Sequence, residues 1–106
     1  AKALSSNPEA LILTFKIMEA AFSALEVVKA MAEHGNPNSV TDAGVGALCI
    51  RSAVMGAALN VKINASGLDD KAFADNIVSK ADAMIVEAKK EEERILEIVQ
   101  RKMSGQ

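Results

Sequence analysis

The sequence predicts an all-α fold: an elongated up-and-down helical bundle of three long helices, itself part of a larger dimeric helical bundle. Three observations carry that expectation. Half of the 106 residues are hydrophobic, yet there is no Trp, no Tyr and only three Phe, so the core is aliphatic, with Ala and Met filling its gaps. The apolar residues recur at helical spacing. Two short polar breaks, beginning at Gly35 and at Ser66-Gly67, divide the chain into three long stretches.

The first helix is expected from about Pro8 to His34. Ser6 or Asn7 serves as N-cap, Pro8 takes the first helical position, Glu9 complements the positive end, and Gly35 is read as a left-handed stop. Lys16, Glu19, Ser23, Glu26 and Glu33 form one polar stripe. Leu11, Ile12, Phe15, Met18, Phe22, Leu25 and Val28 occupy the remaining circumference, so this helix should touch neighbours on more than one side.

The second helix is expected from about Val40 to Asn64, with Ser39 and Asp42 spaced as a capping box. Gly44, Gly46 and Gly56 lie inside it, each costing about 0.8–1 kcal/mol relative to Ala. Small residues permit close approach of a backbone or a ligand, so this helix should be the central and most buried one. The third helix is expected over about residues 69–103, apolar at Phe73, Ile77, Ala81, Met84, Ile85, Ala88, Ile95, Ile98 and Val99. The run Lys89-Lys90-Glu91-Glu92-Glu93-Arg94 reads as a solvated face, and Glu97 and Arg101 as an i,i+4 pair. These helices would be ~40, ~37 and ~50 Å long, too long for a sphere. Their apolar sides exceed what three helices cover, so additional chain or a second copy is expected.

Twelve Lys and Arg against fourteen Asp and Glu leave no basic footprint for nucleic acid or an anionic membrane. Uncharged runs such as Ser52 to Val61 are about half the ~20 residues of a membrane span, and no secretory signal pattern is visible. The single cysteine, Cys49, fits a reducing, cytoplasmic setting. A start at Ala1 without Met, entering a helix within a few residues, points to a fragment.

At about 100° per residue, Asp42 and Asn60 share one direction on the second helix, with Gly46, Cys49, Ala53, Gly56 and Asn64 close to it. That face is either a channel for a flat polar ligand or a packing surface whose Asx residues satisfy helix ends. Arg51 and Lys62 lie opposite, either meeting an acidic group of a ligand or marking a solvent edge. His34, the only histidine, is either a proton shuttle or a C-terminal cap. One His and one Cys show no zinc spacing, and Cys49 has no activating base nearby in sequence, so no metal site is expected.

The segment Gly35-Asn36-Pro37-Asn38-Ser39-Val40-Thr41-Asp42-Ala43-Gly44-Val45-Gly46-Ala47-Leu48, followed by Ala57-Ala58-Leu59-Asn60-Val61-Lys62-Ile63-Asn64, resembles the cyclodeaminase family of folate enzymes. That family includes formimidoyltetrahydrofolate cyclodeaminases, alone or fused to a formiminotransferase, and methenyltetrahydrofolate cyclohydrolases. The resemblance runs from about Pro8 to the C-terminus. It implies that residues 1–106 are the C-terminal half of a domain about twice as long, whose glycine-rich turn and catalytic aspartate belong to the other half. No catalytic residue is therefore assigned here, and the chain alone is expected to be inactive.

The implied substrate is a tetrahydrofolate derivative, with no metal, in a homodimer or larger homo-oligomer. In the cyclodeaminase reaction, a step of histidine breakdown and one-carbon metabolism, 5-formimidoyltetrahydrofolate closes to 5,10-methenyltetrahydrofolate and releases ammonia. The resemblance then makes Asn36, Asn38, Ser39, Asp42, Asn60 and Asn64 candidate substrate contacts, and Arg51 and Lys62 candidate contacts to glutamate carboxylates. Two other readings stand beside it: a methenyltetrahydrofolate cyclohydrolase, and a non-catalytic helical interaction module.

Overall fold

A computed structural model describes residues 7–105, and Ser6, weighed above as an N-cap, lies outside the described residues. The chain forms three helices, α1 (Pro8–His34), α2 (Val40–Ser66) and α3 (Lys71–Met103). They run up, down and up as a rod of 55 × 18 × 16 Å with a radius of gyration of 16.6 Å. A compact chain of about 100 residues would be nearer ~13 Å. The three-helix, elongated, all-α expectation holds, and no strand occurs among the described residues.

Asn7 begins α1: its side chain accepts from the Glu9 N–H at 2.9 Å, with Pro8 at the first helical position. Gly35 ends α1 differently from the expectation. Its φ of −74° and ψ of 157° are extended, not left-handed, and its N–H donates to the Met31 carbonyl at 2.8 Å. Glycine is required there by crowding, because a Cβ would collide with the Met31 carbonyl oxygen.

The start of α2 also departs from the expected capping box. Ser39 makes no side-chain capping bond. Its N–H and hydroxyl are instead directed back to Asn36, which closes the turn before the helix, and the Asp42 N–H goes to the Ser39 main-chain carbonyl. At its other end α2 continues two residues past Asn64, to Ser66, because Ala65 and Leu68 are buried and draw the last turn into the bundle. α3 begins at Lys71, with the Asp70 carboxylate accepting from the Phe73 N–H at 3.1 Å.

As expected, α2 is central, packing on both α1 and α3, which meet each other less extensively. Its buried residues are Val40, Ala43, Gly44, Ala47, Val54, Ala57, Ala58, Val61 and Ala65, none larger than valine. The bulk of the core comes from its neighbours: Leu11, Met18 and Leu25 of α1, and Ile77, Ile95 and Val99 of α3. Gly46 faces Val28 of α1, and Gly44 faces Val99 and Leu96 of α3. The third side of α2 is uncovered, with Val45, Leu48, Leu59 and Ile63 exposed, as are Leu13, Ile17, Val27 and Met31 of α1.

By length and composition α2 would also suffice to cross a membrane. Its two cations are nevertheless paired with carboxylates of α3, and its small residues pack on both neighbours, as in the core helix of a bundle.

Gly56 lies on the uncovered side, and a Cβ there would meet nothing within 4 Å. Gly56→Ala should therefore raise stability by about 0.8–1 kcal/mol, moving the thermal midpoint up by roughly 4–8 °C. Circular dichroism melting checks this. A lowered midpoint would show that something packs closely on Gly56 in solution.

Candidate functional site

The turn joining α1 to α2 is built around Asn36. Its Oδ1 accepts from the N–H groups of Asn38 at 3.0 Å and Ser39 at 3.1 Å, while its carbonyl also accepts from the Ser39 N–H at 3.1 Å. Asn at the first position and Pro37 at the second are what a reverse turn of this kind selects. Asn36, Asn38, Ser39 and Asp42 thus gather at one end of the bundle, all exposed, with Val40 fully buried among them as the anchor. His34 is exposed beside them.

The other candidates lie elsewhere. Asn60 is ~27 Å from Asp42 along the axis at about 1.5 Å per residue, although both share one face. Asn64 is half-buried between α1 and α2, its amide donating to the Ala10 carbonyl and to the Thr14 hydroxyl at 3.4 Å each. Arg51 donates to Glu92 Oε1 at 2.8 Å, and Lys62 lies 2.9 Å from Asp82 Oδ1. The structure therefore brings together the turn residues and Asp42. It uses Asn64, Arg51 and Lys62 as ties between helices.

The charged run of α3 is not a solvated face throughout. Glu91 is buried, 8% exposed, and lies 3.8 Å from Lys29 of α1 while also accepting from Arg94. Glu92 is half-buried against Arg51. The signal was present in the sequence: Glu91 follows Ala88 by three and precedes Ile95 by four, on the stripe that carries both into the core. Glu97 and Arg101, both exposed, do not form the expected pair; Lys90 with Glu87 and Arg94 with Glu91 do. Two exposed long side chains gain little from being held together.

An open cavity of about 300 Å³, lined by Glu33, Ile98, Arg101 and Lys102, lies beside the α1–α2 turn. Lys102 reaches across it to main-chain carbonyls of Glu33 and Gly35. Sequence reasoning missed this lysine. Among the described residues no group of three His, Cys, Asp or Glu is arranged to hold a metal ion.

Fold and turn together define a helical-bundle unit in which four of the candidate polar residues collect at an Asn-centred turn leading into a small-residue helix. The chain belongs to the formiminotransferase-cyclodeaminase family, whose sequence model matches residues 3–83 and so covers α1, the turn and α2. It is also similar to a methenyltetrahydrofolate cyclohydrolase of Methylorubrum extorquens, with 40% identity over 80 residues, 76% of this chain and 38% of that protein. The chain thus spans well under half the length of that relative. α3 beyond residue 83 lies outside the family match.

The Arg51–Glu92 pair is largely shielded, with side chains 24% and 13% exposed. Arg51→Met should destabilise the chain by about 1–3 kcal/mol because it leaves the largely shielded Glu92 carboxylate without its cation. Arg51→Met combined with Glu92→Leu should recover much of that loss. Lys62→Ala, at an exposed pair, should cost at most about 1 kcal/mol. Urea unfolding of the four proteins tests the ranking.

Proposed function

We propose that the chain is part of a folate-dependent cyclohydrolase that opens the methenyl bridge of 5,10-methenyltetrahydrofolate. The observation that carries this reading is the 40% identity to a methenyltetrahydrofolate cyclohydrolase. The turn and α2 both fall inside the family-matched residues 3–83, so the candidate contacts belong to the shared part.

In the proposed reaction water adds to the amidinium carbon of the bridge and gives up one proton. The bond from that carbon to N5 then breaks, N5 takes the second proton, and the 10-formyl product remains. Asn36, Asn38, Ser39 and Asp42 hold the substrate. A carboxylate at Asp42 suits the N–H donors of a pterin ring, and the exposed amides of Asn36 and Asn38 suit its oxygen and ring nitrogens. Fixing these groups on one closed turn favours orientation of the reacting carbon. Acid–base catalysis is assigned to the remainder of the protein. Arg51 and Lys62 are not carried forward as glutamate contacts, since carboxylates of α3 already occupy them.

The second reading is a cyclodeaminase, favoured by the description of the family itself. There N10 attacks the formimidoyl carbon and ammonia leaves. We further propose a homodimer, supported by the exposed apolar residues of α1 and α2, and a cytoplasmic location, supported by the exposed thiol of Cys49.

Calorimetric titration of the chain with 5,10-methenyltetrahydrofolate and with 5-formimidoyltetrahydrofolate separates the readings. Tighter binding of the methenyl compound, weakened about tenfold by Asp42→Asn, is the expected result. A preference for the formimidoyl compound favours the cyclodeaminase. Binding of neither overturns both and leaves an interaction module. Light scattering at micromolar concentration should give twice the 11.1 kDa mass of the chain, and a monomer would overturn the dimer.

A further inference from the structure

Where α1 ends, the Glu33 and Gly35 carbonyls receive no main-chain N–H. The Glu33 carbonyl lies in the last turn of the helix, the backbone turns extended at Gly35, and Pro37 has no N–H to offer. The Gly35 carbonyl lies outside the helix, and the N–H of Ser39 is already given to Asn36. Lys102 meets both needs. Its Nζ lies 2.7 Å from the Glu33 oxygen and 3.1 Å from the Gly35 oxygen. A cation there also complements the negative end of the α1 dipole.

The reach of Lys102 is set by α3. Glu91 against Lys29 and Glu92 against Arg51 hold the middle of that helix to α1 and α2, and Ile98 packs on the core one turn before Lys102. The Asn36-centred turn closes on itself. Beyond the Gly35 N–H bond back to Met31 of α1, the buried Val40 anchors it on its downstream side and Lys102 on its upstream side. Lys102 lies beyond the family-matched residues 3–83, so family membership does not itself call for this tie.

We infer that Lys102 is a positioning residue for the Gly35–Ser39 turn, fixing where Asn36, Asn38 and Ser39 stand relative to α3 and the adjoining cavity. This rests on the reading of that turn as the folate-contacting segment. The lysine acts through the two main-chain carbonyls and touches no substrate. Losing it should loosen the turn and weaken ligand binding while leaving the helical core intact.

The test is amide hydrogen exchange by NMR on the full chain, comparing Lys102→Met, Lys102→Arg and, as a control lysine, Lys62→Met. Lys102→Met should speed exchange at Asn38 and Ser39 by about tenfold, with the core amides of Val54 and Ile95 unchanged. Lys102→Arg should restore protection, and Lys62→Met should leave it untouched. Unchanged exchange at Asn38 and Ser39, a change only in step with the core amides, or no rescue by arginine would overturn the inference.

Titration with 5,10-methenyltetrahydrofolate adds the ligand arm. About fivefold weaker binding by Lys102→Met, recovered by Lys102→Arg, is expected. Faster exchange without any change in affinity would overturn the positioning role. Should the unaltered chain bind no folate, the folate reading falls, and the exchange arm still decides whether Lys102 holds the turn.

Discussion

Close contact between a thin central helix and two thicker neighbours is the interaction on which the rest of this molecule depends. Buried side chains of α2 stop at valine, so each removes little apolar surface from water. What they permit is proximity: Leu11, Met18 and Leu25 on one side, and Ile77, Ile95 and Val99 on the other, reach inward over alanine and glycine. Dispersion falls off steeply with distance, so many short contacts made by large partners across small residues replace the aromatic core that this composition lacks. The length of the rod follows, since a core one side chain thick grows along its axis and not across it.

A core that thin leaves no room to hide charge without specifying where it goes. Glu91 and Glu92 enter between helices because Lys29 and Arg51 meet them from α1 and α2. Buried ion pairs add little net stability, as desolvation consumes most of the Coulomb gain. Their effect here is on register. Sliding α3 by one turn would carry Glu91 and Glu92 about 5 Å away from Lys29 and Arg51, a loss that the small residues of α2 do not by themselves impose. The charges distinguish between arrangements that the small residues alone would tolerate about equally.

Helices and their order were legible because the breaks carry local signals, Asn7-Pro8, Gly35-Asn36-Pro37 and Ser66-Gly67, while the start of α3, expected at about residue 69, falls at Lys71 because the Asp70 side chain caps it. What local signals did not reveal was competition for the same side chain. Ser39 has the identity of an N-cap, but its hydroxyl is turned back to Asn36 three residues upstream and makes no capping bond to α2. In the charged run, residue type argued for solvent, while spacing from Ala88 and Ile95 argued for the core, and spacing decided the outcome at Glu91. The candidate site was half legible. Projection onto a helical wheel placed Asp42 and Asn60 together because a wheel discards axial distance; Asn36, Asn38, Ser39 and Asp42 are neighbours in sequence and stayed neighbours in space. Lys102 could not have been found, since its partners are carbonyls some 67 residues away.

That last interaction shows how one residue's chemistry propagates. The backbone turns extended at Gly35, which leaves the last carbonyls of α1 without helical donors, and proline at position 37 stiffens the turn while offering no N–H of its own. The Glu33 carbonyl is therefore an unmet acceptor at the end of α1. Such an acceptor must be met by water or by another element, and here α3 supplies an ammonium group on a helix already held in register by Glu91 and Glu92. Packing along α2, charge pairing in the middle of α3 and the geometry of the turn are in this way a single chain of dependence. The turn at Asn36 is thereby tied to the packing of the bundle, at the end where the candidate ligand contacts proposed above lie.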